Sequence, residues 1–228
     1  QVAEEIQDLI EKQTNPTIAP YAKTGEVHLR ITAKGKNEKE CQKLIKPVVK
    51  ELKARFGRNV FATEESKTLE EAVVDMLKEQ EMTLSLAESC TGGAIAARIV
   101  NVSGASEVFL QGMVTYSNKA KRRCIDVSKS TLKKHGAVSE ECAAEMAKGG
   151  RKAAETDICL SVTGIAGPGG GTKEKPVGTV FMGCSYKGCT KVREFHFQGN
   201  RARVREQTVA HGLAFLRDCM MERADKKK

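Results

Sequence analysis

The sequence predicts a three-layer α/β/α sandwich with a mixed sheet, preceded by a small α+β domain. From residue 67 onward, amphipathic helical patterns alternate with short apolar runs, an arrangement that lays strands side by side and covers both faces with helices. Near the C-terminus two strand patterns, Val177 to Tyr186 and Thr190 to Phe197, meet at a tight Lys187-Gly188 turn, so part of the sheet is antiparallel. A polar stretch, Thr63-Glu64-Glu65-Ser66-Lys67, separates the two parts and places the domains at 1–66 and 67–228.

In the first domain, Ile6, Leu9 and Ile10 give a short amphipathic helix, broken by Asn15-Pro16 and Pro20. Val27, Leu29 and Ile31 alternate with Glu26, His28 and Arg30, the period of a half-buried strand. Asn37 caps a helix with Glu40 at its third position, and apolar residues from Cys41 to Leu52 recur at helical spacing up to a stop at Gly57. Pro47 implies a kink in that helix or a new start. A second short strand is expected at Asn59 to Ala62, giving the order helix, strand, helix, strand.

In the second domain, Thr68 and Glu71 form a capping box ahead of the apolar stripe Leu69, Ala72, Val73, Met76 and Leu77. A strand at Thr83 to Ala87 leads through a turn at Ser89-Cys90-Thr91 into a helix at Ala94 to Val100. A loop at 103–106 precedes a strand at Gly112 to Tyr116. Ser117 is a good N-cap and sets Lys121 about one turn into the next helix. Ser128 and Ser139 cap two more helices, the second with Cys142, Met146 and Ala153 on one face. Ile158 to Val162 is the continuous apolar run of a strand covered on both faces. It empties into the glycine-rich loop Thr163 to Gly171, and Asn200 caps a last helix carrying Val204, Leu213, Leu216 and Met220.

Composition narrows the function. With 40% hydrophobic residues, 4% aromatics and no Trp among 228 residues, the core is built from Val, Ile, Leu, Ala and Met. No apolar run approaches the roughly 20 residues that span a bilayer, and the first residues lack the features of a signal peptide, so the expectation is a cytoplasmic protein without a membrane partner. The eight cysteines stand singly, with no C-x-x-C and no Cys/His cluster, which reads as reduced thiols and no metal site. Much of the net charge of +9 comes from Lys226-Lys227-Lys228 and from Arg201, Arg203 and Arg205. Elsewhere bases and acids are interleaved, so charge alone does not call for a nucleic-acid partner.

Three residue groups fall beyond strand ends, where open α/β sheets bind ligands: Glu88 to Gly93, Tyr116 to Lys121, and Thr163 to Gly171. Ser89 beside Cys90 and Thr91 lies at a helix start among free backbone N–H groups. A serine at one strand end and a lysine beyond another make a nucleophile and base pair, and no histidine stands in a triad pattern. Such a lysine must be neutral, through burial or through neighbouring cations such as Lys119 and Arg122. The glycine loop is neither a Walker A sequence nor G-x-G-x-x-G. His135, after a lysine-rich helix end, is equally a capping residue. Cys90 is the competing nucleophile, and a non-catalytic module binding a nucleotide or nucleic acid is the competing function.

The motifs A-E-S-C-T-G-G at Ala87, V-T-Y-S-N-x-A-K at Val114, H-G-A-V-S at His135, G-I-A-G-P at Gly164, K-P-V-G-T-V at Lys175 and G-N-R at Gly199 stand in consecutive order. Together they resemble the C-terminal, nicotinamide-nucleotide amidase domain of the CinA family. The first domain is similar to the K-homology-like connector of that family, through N-P-T-I-A-P-Y-A-K at Asn15. Its loop Gly35-Lys36-Asn37-Glu38 lacks the G-x-x-G that clamps a nucleic-acid backbone, so it reads as a spacer. The molybdopterin-binding-like domain that precedes the connector in the family is missing. With Gln1 as the first residue, the chain is expected to be a fragment or a truncated member.

The resemblance implies hydrolysis of the carboxamide of nicotinamide mononucleotide, without metal or cofactor, by a homo-oligomer. It implies Ser89 as nucleophile, Lys121 as base and Tyr116 assisting, with Thr91, Gly92, Gly93, Gly164, Gly167 and Arg201 binding substrate. Amides around Thr91 to Gly93 would hold the oxyanion. Gly169 departs from the family pattern, where an acid often follows G-I-A-G-P.

Overall fold

The computed structural model describes residues 2–64 and 67–225, in two compact units that divide between residues 65 and 66. Glu65 and Ser66 of the polar linker, and Lys226 to Lys228, lie outside the described residues.

The first unit runs α1 (Val2–Glu5), α2 (Gln7–Lys12), β1 (Thr17–Lys23), β2 (Glu26–Thr32) and α3 (Glu38–Phe56). Its order is therefore helix, strand, strand, helix, which corrects the expected order at two places. Residues Thr17 to Lys23 form a strand despite Pro20, because in a two-stranded antiparallel ribbon each strand keeps one edge that needs no ladder partner. Asn59 to Ala62 is no strand: a single 3₁₀ turn at Gly57–Asn59 follows α3, and the segment joins neither sheet among the described residues. The Asn37 side chain caps α3 through the Glu40 amide at 3.0 Å, as the sequence reading has it. Pro47 leaves α3 a single helix. The carbonyl it deprives of a partner is that of Lys43, on the exposed side, where water replaces the lost donor. Ile6, Ile18 and Leu52 make the core, with Leu29, Ile31, Val48 and Phe56 packed on it.

The second unit holds a five-stranded sheet of order β4-β3-β5-β6-β7, formed by β3 (Leu84–Glu88), β4 (Phe109–Val114), β5 (Ile158–Gly164), β6 (Thr179–Tyr186) and β7 (Cys189–His196). The first three are mutually parallel, and β6 and β7 are antiparallel additions. On one face lie α4 (Leu69–Glu79), α5 (Ala94–Val100) and α9 (Arg201–Asp225); on the other lie α6 (Asn118–Ile125), α7 (Lys129–Lys134) and α8 (Glu140–Ala153). This is the predicted three-layer sandwich with a mixed sheet. The interior strands β3 and β6 are buried throughout, including their polar residues Ser85, Glu88, Thr179 and Ser185.

The capping box at Thr68 and Glu71 is present, an N-terminal lock of about 1 kcal/mol. Leu77, Ile99, Leu213 and Leu216 have no exposure, each contributing roughly 1.5–3 kcal/mol of apolar burial. Two details differ from expectation. The strand placed at Gly112 to Tyr116 begins at Phe109, which pairs with Leu84, and ends at Val114, so Tyr116 lies beyond the sheet. Ala153 is exposed; α8 buries Cys142, Ala143, Met146, Ala147 and Gly150 instead.

Candidate active site

Because β3, β4 and β5 are parallel, their carboxyl ends open on one side of the sheet, and the three residue groups singled out above follow those ends. After Glu88 the chain turns sharply. The Ser89 amide donates to Val162 O of β5 at 3.0 Å, and the Gly92 amide donates back to Ser89 O at 3.1 Å. Gly93 sits at a φ of 94°, a left-handed conformation that glycine adopts without strain, and aims α5 away from the strand.

The first amides of α5 are not free. The Glu88 carboxylate, 1% exposed, accepts from Gly93 N (2.9 Å) and Ile95 N (3.2 Å) through Oε2 and from Ala96 N (2.8 Å) through Oε1. The chain therefore supplies its own anion at this helix start, where a negative charge meets the positive end of the helix dipole. From α9, Arg205 donates through Nε to Cys90 O (3.1 Å) and through Nη2 to Thr91 O (2.8 Å). An acid and a base thus pin the Ser89 turn from its two ends.

Lys121 reaches the same turn from α6. Ser117 caps that helix through the Ala120 amide at 3.0 Å, and α8 presses on it at Gly149, where a methyl group would lie 1.8 Å from Ile125 O. Only a residue without a side chain allows that approach. The Lys121 side chain is 1% exposed, with Nζ at 2.9 Å from Ser89 Oγ, 2.8 Å from Thr115 O and 3.4 Å from Tyr116 O. Burial holds its pKa below the ordinary lysine value, against a smaller upward pull from the Cys142 and Cys90 thiols. Of the two causes offered by the sequence, burial acts; neither Lys119 nor Arg122 contributes.

A neutral amine has two N–H groups and one lone pair. Nζ donates to the Ser89 hydroxyl and to two backbone carbonyls; on loss of one proton the carbonyls keep the two remaining N–H groups and the lone pair faces Ser89 Oγ. Cys90, 6% exposed, has its thiol pushed up to about 11, chiefly by burial, which keeps it protonated and a poor nucleophile at neutral pH.

Tyr116, Gly167 and Arg201 come together at the mouth. Arg201 donates through Nη2 to Tyr116 Oη (3.1 Å) and through Nη1 to Gly167 O (2.9 Å), and Tyr116 is 61% exposed. Thr91, in the Ser89 turn, is fully buried, and its Oγ1 has no hydrogen-bond partner among the described residues, as is true of Thr115 Oγ1. The Gly92 and Gly93 amides are both engaged within the turn, which takes them out of the role of oxyanion donors. Gly164 ends β5, and a side chain there would strike Val180, so its smallness serves packing.

His135 terminates α7 and pairs through Nδ1 with Glu141 at 2.9 Å; its carbonyl, with that of Val138, accepts from Lys175 Nζ at 3.0 and 2.6 Å. The H-G-A-V-S and K-P-V-G-T-V motifs are thus tied to each other. No group of three or more His, Cys, Asp or Glu among the described residues is placed to hold a metal ion. Sequence reasoning missed the work of Glu88, Arg205 and Lys175. Arg205 had a legible signal: it stands one helical turn after Arg201 and so shares its face.

Comparison with known proteins identifies the family. Residues 66–220 match the CinA C-terminal domain, and residues 1–62 match the KH domain of the damage-inducible protein CinA. A protein named as competence-damage inducible from Clostridium novyi is 54% identical over 216 residues, covering 95% of this chain and 52% of the relative. A CinA-like protein of Kosmotoga olearia is 49% identical over 220 residues, covering 96% and 53%. The chain therefore spans about half the length of these relatives. Among solved structures, the competence/damage inducible protein CihA of Agrobacterium tumefaciens superposes with a TM-score of 0.64 at 38% identity, covering 65% of this chain and 91% of that one. A CinA superfamily protein of Klebsiella pneumoniae gives 0.66 at 34% identity, covering 68% and 96%. Among the described residues no helix is long and apolar enough to cross a membrane.

Proposed function

The chain belongs to the CinA family, and from that premise we propose that its second unit hydrolyses the carboxamide of nicotinamide mononucleotide to the acid and ammonia. The observation that carries this reading is the 2.9 Å approach of a buried, charge-disfavoured Lys121 amine to Ser89 Oγ. Ser89 Oγ attacks the amide carbon as its proton passes to Lys121 Nζ. The oxyanion is met by the amides of Cys90 and Thr91, which have no backbone acceptor among the described residues and otherwise face the Cys90 sulfur. Collapse breaks the C–N bond, and the Lys121 ammonium returns its proton to the leaving nitrogen, which departs as ammonia. Water then attacks the acyl ester with Lys121 again as base, releasing the acid and restoring the hydroxyl.

Arg201 holds the substrate phosphate by charge-assisted hydrogen bonds, a role the α5 amides cannot share because Glu88 fills them. Tyr116 covers the ring. Ammonia release from nicotinamide mononucleotide by the purified chain tests the proposal. Ser89→Ala and Lys121→Ala should each lower turnover by several orders of magnitude, with the double variant little worse, because the two residues act as one unit. Wild-type turnover in Ser89→Ala would refute the serine mechanism; nucleotide binding without any ammonia release would leave a binding module instead.

A further inference from the structure

The outer face of α3 carries Lys39, Lys43, Lys46, Lys50 and Lys53, at intervals of four, three, four and three residues. At 3.6 residues per turn these side chains fall within about 40° of a single line and extend over about 21 Å of helix. The line runs opposite the face on which Val48, Leu52 and Phe56 pack into the core of the unit. All five lysines are exposed, and none forms an ion pair among the described residues.

The acids of α3 do not relieve this charge. Glu40 lies off the line and accepts from the Lys36 amide, and Glu51 pairs with Arg55. Glu38 falls on the far side, among the apolar positions. Successive lysines of the stripe are neighbours at i, i+3 or i, i+4, where like charges repel and destabilise the helix. No ion pair within the described unit neutralises the stripe, so it presents a row of uncompensated cations that a polyanion from outside can meet.

We propose that this face of α3 docks duplex DNA through its phosphates, without reading base sequence. A rigid linear array of cations fits a rigid linear polyanion. Lys43 and Lys50 splay to one side of the line and Lys46 and Lys53 to the other, so an α-helix about 10–12 Å across, seated in the roughly 12 Å major groove, meets phosphates of both strands. The A-form groove of duplex RNA is too narrow for this. No aromatic side chain lies on the stripe: Phe56 packs against the core and Tyr21 sits under Arg30, which removes the base stacking that single-strand binding relies on. This site is separate from the G-x-x-G loop whose absence set nucleic acid aside in the sequence reading.

Fluorescence anisotropy of a labelled mixed-sequence DNA duplex of about 20 base pairs, titrated with the full chain at several salt concentrations, tests the proposal. Five phosphate contacts give a slope of log K against log salt of about −4.5, and Lys43→Gln with Lys46→Gln and Lys50→Gln should reduce it to about −2. The triple arginine variant at the same positions should keep the slope, and an unchanged circular dichroism spectrum for both variants separates lost charge from lost fold. No duplex binding at 50 mM salt, a slope unchanged by the glutamine variant, tighter binding to single strands than to the duplex, or binding only to phosphatidylserine vesicles would each overturn it.

Discussion

Replacing Lys121 by methionine removes the amine and keeps most of the volume that it fills. The wild-type side chain is 1% exposed, and no carboxylate is among the groups that set its protonation, so burial weakens proton binding in the folded state. The unfolded chain, with an ordinary lysine near pH 10.4, therefore binds more protons between that value and the depressed one. Wild-type stability consequently rises with pH through this window: it is fully present above the unfolded value and lost as pH falls through the folded one. Down to a folded value of about 7, each tenfold weakening of proton binding costs the folded state about 1.4 kcal/mol at neutral pH, and below it the cost grows no further.

Methionine removes that cost but strands the buried Thr115 carbonyl, at roughly 1–3 kcal/mol, and frees the partly buried Tyr116 carbonyl at less. The stranded carbonyls do not titrate. Absolute stability at one pH thus mixes two opposing effects, whereas the change between two pH values isolates the first. Urea unfolding of both proteins at pH 7 and pH 10 should show the variant losing ground to wild type as pH rises, while its ammonia release is lost at both. A stability gap independent of pH would mean that the buried lysine is ordinarily protonated, and the base assignment would fall with it.

Cys90→Ala should retain turnover within a few-fold, and the wild-type thiol, held near 11, should react slowly with iodoacetamide at pH 8; activity lost with the thiol would reinstate it as nucleophile. Arg201→Ala should raise KM for the mononucleotide by roughly 10- to 150-fold, the equivalent of about 1.5–3 kcal/mol, with kcat much less affected. Arg205→Ala should do the reverse, lowering kcat by about 10-fold or more at similar KM, because it frees the Cys90 and Thr91 carbonyls and loosens the nucleophile turn. EDTA should leave ammonia release unchanged, and a loss restored by zinc would contradict the metal-free mechanism.

What the sequence disclosed was governed by distance along the chain. Caps at Asn37, Thr68, Ser117, Ser128 and Ser139 were legible because donor and acceptor lie within three residues of each other. Ser89 and Lys121 are 32 residues apart, and only the rule that ligands gather at strand ends, together with the motifs, brought them to one place. The ribbon strand β1 was hidden because Pro16 and Pro20 read as breakers, although an edge strand tolerates the missing donor. Val60 and Phe61 looked like strand residues, yet they join neither sheet among the described residues. Glu88 was grouped with the site without a role, since a single acid at a strand end says nothing of the three amides that it will satisfy.

Tolerance to substitution need not follow proximity to chemistry. Gly149 touches neither the serine nor the amine, yet it fixes how near α8 stands to the end of α6, with a would-be methyl 1.8 Å from Ile125 O. Lys121 rides one turn earlier on that same short helix. Any side chain at 149 forces α6 outward as a body, and a displacement of about 1 Å is enough to spoil a proton transfer between pre-aligned groups. On the proposed mechanism such a variant keeps both Ser89 and Lys121 and still loses turnover. In a map of inactivating substitutions, this glycine belongs with Ser89 and Lys121, as the fulcrum on which the lysine is balanced.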